Sequence, residues 1–198
     1  MSSVAVQTRL TPEEYLALER KATTKSEYLN GHIYAMASAS REHNLITGNI
    51  FGELRAQLRD RPCEAYVNDM RLKISPAGLY TYPDVAVVCG DPRFEDSDLD
   101  TLTNPIVLVE VLSSSTEAYD RGEKLAHYRR LESLQEYILV AQDGVRVEHY
   151  LRQEKQWLLT ELSDLDEVLH LVSISCDLSL NEIYVKVEFP ASKEPQDT

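Results

Sequence analysis

Two acidic residues interrupt segments that otherwise have the apolar character of buried strands. Asp84 precedes the run at residues 85–88, and Glu110 lies inside the run at residues 105–112. Burying an unpaired carboxylate is costly, so each needs a cation, a hydrogen-bond donor or a metal. Carboxylates from neighbouring strands can converge on one Mg²⁺, which prefers oxygen ligands. The pair therefore indicates metal-assisted hydrolysis, with a metal that acidifies a bound water and neutralises charge on phosphorus.

Lys124 is the candidate cation of the same site. Asp120, Lys124 and Tyr128 are spaced i, i+4, i+8, so they would line one face of a helix. A lysine there could orient the attacking water and stabilise developing negative charge. The alternative is an ordinary surface ion pair between Asp120 and Lys124. Asp120 with Glu123 also fits a capping box, so we interpret Asp120 as structural.

Several residues are weaker candidates. Glu27 precedes an Asn-Gly turn and could add a ligand, directly or through water, or could simply face solvent. His43 lies near a predicted helix start, where backbone N–H groups favour anions, and could contact a phosphate. A polar surface position is the alternative for His43. Further candidates for phosphate contacts are the basic residues Arg41, Arg71, Lys73 and Arg121.

The elements that must position these residues can be predicted in outline. Thr11, Pro12 and Glu14 indicate a capped helix that runs to about residue 22, and Ser40 could cap a second helix that ends near residue 60. Asn-Gly at 30–31 and Asp-Gly at 143–144 predict hairpins. Strands are expected near residues 26–29, 32–36, 65–67, 71–74, 82–88, 105–112, 136–140, 145–151, 157–162 and 168–172, with a crossover helix to about residue 131 and a short helix at 180–187. This order predicts an α/β fold with a central mixed sheet flanked by helices.

Bulk properties limit the function classes. The net charge of −13 argues against a protein that coats nucleic acid through a broad basic surface. The sequence has neither a transmembrane run nor a signal peptide, so we expect a cytoplasmic protein that does not bind membranes. The acidic stretch at 90–104 reads as a solvated loop. We expect a single domain over residues 1–189, a disordered tail at 190–198, and three free thiols, Cys63, Cys89 and Cys176.

Four motifs together carry a resemblance to a known family. They are Ser-Glu-Tyr-Leu-Asn-Gly at 26–31, Tyr-Pro-Asp-Val-Ala-Val-Val at 82–88, Val-Glu-Val-Leu-Ser-Ser-Ser-Thr at 109–116 and Asp-Arg-Gly-Glu-Lys-Leu-Ala-His-Tyr at 120–128. The chain resembles the large bacterial family of Uma-two-type endonucleases, within the PD-(D/E)XK nuclease superfamily, from about residue 10 to about residue 187. The resemblance implies a restriction-endonuclease-like fold.

The resemblance also implies residue roles. Asp84 and Glu110 match the acidic metal ligands, and the carbonyl of Val111 would be a further ligand for Mg²⁺ or Mn²⁺. Leu112 stands where the strict pattern has lysine, which implies that the lysine has moved to position 124. The predicted catalytic residues are Glu27, Asp84, Glu110 and Lys124, and the predicted substrate-binding residues are Arg41, His43, Arg121 and Tyr128.

We therefore expect a metal-dependent endonuclease that hydrolyses phosphodiester bonds of nucleic acid, with DNA as the expected substrate and a homodimer as the expected assembly. One alternative is a degenerate nuclease fold that binds nucleic acid or a protein partner without cutting. The net charge of −13 and the displaced lysine favour this alternative, whereas the intact acidic set favours the enzyme. A small-molecule hydrolase with the same metal chemistry is a third reading that no residue favours.

Overall fold

The computed structural model describes residues 9–74 and 78–189. The predicted tail at 190–198 lies outside the described residues, as do residues 1–8 and 75–77. The helical elements are α1 (Pro12–Glu19), α2 (Arg41–Leu58), α3 (Glu117–Tyr119), a π-helical turn (Asp120–Lys124), α4 (Leu125–Tyr128) and α5 (Leu180–Ile183). The strands are β1 (Ser26–Leu29), β2 (His32–Ala35), β3 (Cys63–Val67), β4 (Arg71–Ile74), β5 (Leu79–Thr81), β6 (Val85–Cys89), β7 (Thr101–Leu102), β8 (Val107–Leu112), β9 (Glu136–Ala141), β10 (Val147–Gln153), β11 (Gln156–Leu162), β12 (Val168–Leu171) and β13 (Cys176–Ser179).

A six-stranded mixed sheet forms the centre of the molecule, in the order β11-β10-β9-β8-β6-β3. In this sheet β8 and β9 pair in parallel, and the helical segment between them makes the crossover. Every residue of β8 and β9 is buried. Continuous apolar runs form such strands because both faces of the sheet are covered. The predicted α/β fold with a central mixed sheet is confirmed.

The two faces of this sheet are covered differently. One face packs against α2, α5 and the β12–β13 hairpin, with Ile46, Ile50 and Leu54 of α2 in the shared core. The other face packs against a second, five-stranded sheet in the order β2-β1-β5-β4-β7 and against the helical crossover. The sequence predicted β1, β2 and β4 of this second sheet, but neither β5 nor β7, nor that these strands form a separate layer.

Local signals explain how the first elements begin and end. Thr11 caps α1 in a capping box with Glu14, as predicted, although α1 ends at Glu19 rather than near residue 22. The Asn30–Gly31 turn joins β1 to β2 with both residues at positive φ, which glycine and asparagine tolerate best. None of the helices in the described ranges is long and apolar enough to cross a membrane.

Two predictions about side chains are wrong. Cys63 and Cys89 form a disulfide, because β3 and β6 pair in a register that places the two residues directly opposite each other. Cys176 is a buried free thiol, as predicted. The acidic stretch at 90–104 is not merely solvated: three aspartates surround Arg20 of the α1 C-terminus, and β7 pairs with β4. The Arg20 guanidinium contacts Asp96, Asp98 and Asp100 at 2.8, 2.7 and 2.8 Å.

Candidate active site

Side chains from four elements meet between the two sheets. Glu110 projects from the middle of β8 on the face that packs against the second sheet, since Leu108 and Leu112 share that core. Glu27 projects toward it from β1 and accepts a hydrogen bond from Thr81 of β5. Lys124 ends the π-helical turn of the crossover. Strand alternation explains why a single acidic residue in each strand can face this space while its neighbours enter the core.

Lys124 lies at the centre of this cluster and is buried. Its ammonium nitrogen is 2.9 Å from Glu110 Oε1, 3.4 Å from Glu27 Oε1 and 3.5 Å from Asp120 Oδ1. Burial alone disfavours the charged form. The negative charges of Glu110, Glu27 and Asp120 outweigh burial and raise the pKa of Lys124 well above its usual value. Lys124 is therefore a fixed positive charge among carboxylates.

Glu110 is short of stabilising partners despite this ion pair. Tyr128 donates a hydrogen bond of 2.7 Å to Glu110 Oε1, the oxygen that also faces Lys124. Within the described ranges, Glu110 Oε2 accepts no hydrogen bond. Burial raises the pKa of Glu110 to about 8; Lys124 opposes this shift, and the charges of Asp120 and Asp84 add to it. A further cation at this point would relieve the cost of the Glu110 charge.

Asp84 lies immediately before β6, next to the strand that carries Glu110. Its Oδ2 accepts a 2.7 Å hydrogen bond from the backbone N–H of Val111, and its Oδ1 lies 3.0 Å from His43 Nε2. Burial raises the pKa of Asp84, although His43 and the Val111 N–H act in the opposite direction. Because the N–H and C=O of a strand residue point to the same side, the Val111 carbonyl faces the same edge as Asp84.

The donor set suits a hard divalent cation that keeps part of its water shell. In residues 9–74 and 78–189, no three His, Cys, Asp or Glu side chains are placed to hold a metal together. A closed cage of side chains is therefore absent from this part of the chain. Mg²⁺ commonly binds through one or two carboxylates, with waters and substrate oxygens completing the shell. Asp84, Glu110 and the Val111 carbonyl carry oxygen atoms of the kind that could bind such an ion.

The crossover corrects one interpretation made from the sequence. Asp120 and Lys124 are not a surface ion pair, because both side chains are buried against the cluster. Asp120 caps nothing with its side chain, since it lies inside the π-helical turn. π-Helical turns are rare in proteins, and those that occur are often found at functional sites. The i, i+4 spacing of Asp120 and Lys124 pointed to a shared face, but only the fold decides that this face is buried.

The structure gives the residues that were predicted to contact phosphate or substrate different partners. His43 reaches the cluster through Asp84, and Arg41 is exposed at the start of α2 beside Glu42. Arg121 turns away and pairs with Glu117 and Glu148, and Tyr128 is fully buried with its hydroxyl on Glu110. Arg71 and Lys73 pair with Asp100 and Glu95, respectively. The structure thus gives Tyr128 no surface for direct substrate contact.

A cleft opens beside the cluster. It has a volume of about 520 Å³, and its wall includes Leu112 and Ser113, which follow Val111 in the chain, and Ser40, which caps the helix that carries His43. Gln142 and Arg146 of the turn between β9 and β10 also line the cleft, and the Ser40 hydroxyl donates a 2.6 Å hydrogen bond to Gln142 Oε1.

Comparisons with known proteins agree with this architecture. A family model described as "Uma2: Putative restriction endonuclease" matches residues 12–182. The relative "Uncharacterized protein sll1609" of Synechocystis sp. is 44% identical over 163 residues, which cover 82% of this chain and 92% of the relative. "Uncharacterized protein slr1290" of the same organism is 37% identical over 182 residues, 91% of this chain and 94% of the relative.

A solved structure shares the fold. It is the crystal structure of "a putative nuclease belonging to DUF820 from Anabaena variabilis", with a TM-score of 0.70 and 18% sequence identity, over 88% of this chain and 97% of that chain. At this identity the likeness concerns the fold alone, and it matches the restriction-endonuclease-like architecture predicted from the sequence.

Proposed function

This chain belongs to the Uma2 family, and from that premise we propose that it is a metal-dependent nuclease that hydrolyses phosphodiester bonds of nucleic acid. The observation that carries the proposal is the placement of Lys124 within 2.9 Å of Glu110, beside Glu27 and Asp120, in a cluster that includes Asp84. This placement supports the proposal that the crossover supplies, as Lys124, the lysine that the strict motif would place at Leu112.

Each member of the cluster has a proposed role. Asp84, Glu110 and the Val111 carbonyl would hold Mg²⁺ or Mn²⁺, which when bound supplies an acidified water and neutralises charge on the phosphate. Lys124 would orient the attacking water and stabilise negative charge that develops on the phosphoryl oxygens. Glu27, anchored by Thr81, would hold the ammonium of Lys124 in place. His43 would fix the Asp84 carboxylate.

The test is cleavage of supercoiled plasmid and of single-stranded DNA with Mg²⁺, Mn²⁺ or EDTA. We expect cutting that needs metal and is lost in Asp84→Ala and in Lys124→Ala. Lys73→Ala is the matched control, because Lys73 is also a lysine in an ion pair, with Glu95, but lies outside the cluster. Cutting that survives in Lys124→Ala would remove Lys124 from the mechanism and leave the metal ligands in place.

The net charge of −13 favours a second candidate, a nuclease fold that binds a partner without cutting. Absence of cleavage on every nucleic acid and with every metal, in a folded protein, would select this candidate. The choice of DNA over RNA, the homodimer and the cytoplasmic location stay predictions from the sequence.

A further inference from the structure

We propose that Tyr34 is a substrate-positioning residue whose ring stacks on an unpaired base next to the scissile phosphate, so that the preferred substrate is single-stranded or locally unpaired nucleic acid. The inference rests on the proposed nuclease function and specifies its substrate class. It draws on the register of the β1–β2 hairpin, the exposure of Tyr34 and the charge of the protein.

The register places Tyr34 beside the catalytic cluster. Tyr34 of β2 pairs directly with Glu27 of β1, and side chains of directly opposed residues lie on the same face of a sheet. Glu27 in turn lies in one row with Thr81 of β5, to which it is hydrogen bonded. On that face Glu27 Oε1 is 3.4 Å from Lys124 Nζ. Tyr34 therefore ends the row at the sheet edge, adjacent to the cluster.

Tyr34 is unusual among the tyrosines of this sheet because it is open to solvent. Its exposed fraction is 53%, whereas Tyr28 and Tyr80 are buried and pack with Tyr15 on the opposite face. In the described ranges Tyr34 enters no aromatic pair and its hydroxyl makes no hydrogen bond. A large ring without an internal partner, next to a charged cluster, offers a flat surface to a ligand.

The charge of the protein makes such a surface important. A chain with a net charge of −13 gains little from long-range attraction to a phosphate backbone. Stacking on an aromatic ring supplies affinity that depends weakly on salt and tolerates every base, because each base has a π face. In a duplex these faces are covered by neighbouring bases. Only an unpaired base presents its face, which identifies the substrate class.

The strand itself supplies a matched control. Ile33 precedes Tyr34, is 41% exposed, and lies on the opposite face because successive strand residues alternate. Ile33 pairs with Tyr28, whose ring packs in the core beneath α1. Ile33→Ala therefore removes an exposed apolar side chain of the same strand without touching the cluster face.

The experiment measures steady-state cleavage of a fluorescent single-stranded oligonucleotide by wild type, Tyr34→Ala, Tyr34→Phe and Ile33→Ala. We expect Tyr34→Ala to raise KM by roughly 5- to 150-fold, the range of one lost base–aromatic stack, with little change in kcat. Tyr34→Phe retains the ring and should restore KM to within about 2-fold of wild type. Ile33→Ala should behave as wild type, and the ratio of KM values should change little with salt.

Several outcomes would overturn the inference. An unchanged KM in Tyr34→Ala, or a fully matched duplex cut as efficiently as the single strand, would exclude the stacking role while the nuclease function stands. Equal losses in Tyr34→Ala and Tyr34→Phe would assign the effect to the hydroxyl and not to stacking. If wild type neither binds nor cuts any nucleic acid, both the function and this inference are wrong.

Discussion

The two faces of the central sheet each bury a glutamate, and the two glutamates differ in how completely their carboxylate oxygens are paired. Glu110 of β8 faces the second sheet, and Glu136 of the adjacent β9 faces the α2 side. Both are almost completely buried. Glu136 Oε2 lies 2.5 Å from His149 Nε2, and Glu136 Oε1 accepts a 2.7 Å hydrogen bond from the Ser173 N–H.

The difference lies in how completely each carboxylate is satisfied. Burial raises the pKa of Glu136, but the contacts of His149 and Ser173 outweigh burial, and the pKa is lowered. Within the described residues Glu110 has partners at one oxygen, and burial together with the nearby carboxylates Asp120 and Asp84 raises its pKa to about 8. A fully paired carboxylate is a structural group, whereas Glu110, paired at one oxygen with Lys124 and Tyr128, would be stabilised by a further cation.

The largest expected effect is on stability at the paired face. Glu136→Ala leaves His149 and the Ser173 N–H without their acceptor, and we expect a loss of about 3–5 kcal/mol of unfolding free energy. Urea denaturation measures this loss, and a double-mutant cycle with His149→Ala should recover most of it as coupling. Cleavage per folded molecule should be unchanged, so a specific loss of activity at full stability would reverse the assignment of Glu136.

Substitution of Glu110 should have the opposite effect, a loss of cleavage without a loss of stability. Glu110→Gln removes a proposed metal ligand, and we expect cleavage to fall by about 10²–10³-fold, as for loss of one transition-state-stabilising group. Stability in EDTA at pH 8 should stay equal to wild type or rise, because an amide carries no buried charge. A strongly destabilised Glu110→Gln protein would contradict the comparison, since Glu110 would then be as structural as Glu136.

The pH dependence of stability should have opposite signs at the two glutamates. In the metal-free folded protein Glu110 keeps its proton up to a pKa of about 8, above the usual 4.5. The folded state then binds more protons than the unfolded state, so stability falls as pH rises from about 5 to 8. Glu136 has a lowered pKa, so its contribution is present above pH 4.5 and is lost as pH falls below it.

Denaturation in EDTA across pH 3.5–8.5 tests these signs. Glu110→Gln should remove roughly 2–4 kcal/mol of the loss between pH 5 and 8 and leave a smaller slope from Asp84, whose pKa is also raised. Glu136→Gln should instead reduce the loss of stability as the pH falls below 4.5. The same slope in wild type and Glu110→Gln above pH 5 would show that Glu110 is already ionised without metal.

The sequence predicted which residues meet in the cluster better than it predicted the elements around them. Asp84 and Glu110 stand out locally, because a carboxylate inside a buried apolar run is costly wherever the strand packs. Lys124 was found from helical spacing and from the family motif. The sequence left a surface ion pair of Asp120 and Lys124 open as an alternative, because one spacing fits both a surface pair and a buried cluster, and only packing between distant elements separates the two.

Long-range pairing explains the remaining misses. The separate five-stranded sheet includes β7, only two residues long, inside a stretch whose composition reads as a loop. The aspartates of the stretch at 90–104 contact Arg20, which lies about 80 residues earlier in the chain. The Cys63–Cys89 disulfide depends on a register between β3 and β6 that two scattered cysteines do not reveal. The buried network of Glu136 was not predicted, because its partners, His149 and Ser173, come from later segments of the chain.

The smallest expected effect compares single hydroxyl groups on the two faces. Tyr128→Phe removes the 2.7 Å hydrogen bond to Glu110 Oε1, and we expect a loss of about 1 kcal/mol in stability with a several-fold drop in cleavage. Ser173→Ala should change stability little or raise it, because in the described part of the chain Ser173 Oγ is buried without a partner while the Ser173 N–H still reaches Glu136.

Thermal unfolding and cleavage of both variants, with Tyr137→Phe as a control, complete this comparison. Tyr137 is a buried tyrosine that donates at 3.3 Å to the Asp120 carbonyl rather than to a carboxylate. Its variant should lose some stability without a specific loss of cleavage. If Ser173→Ala costs more than Tyr128→Phe, the Glu136 network depends on the hydroxyl, and the backbone donor alone does not satisfy that carboxylate. If Tyr128→Phe costs more stability than Ser173→Ala, as expected, Glu110 depends on the Tyr128 hydroxyl more than Glu136 depends on the Ser173 hydroxyl. The reason is that the chain leaves the charge of Glu110 less completely paired.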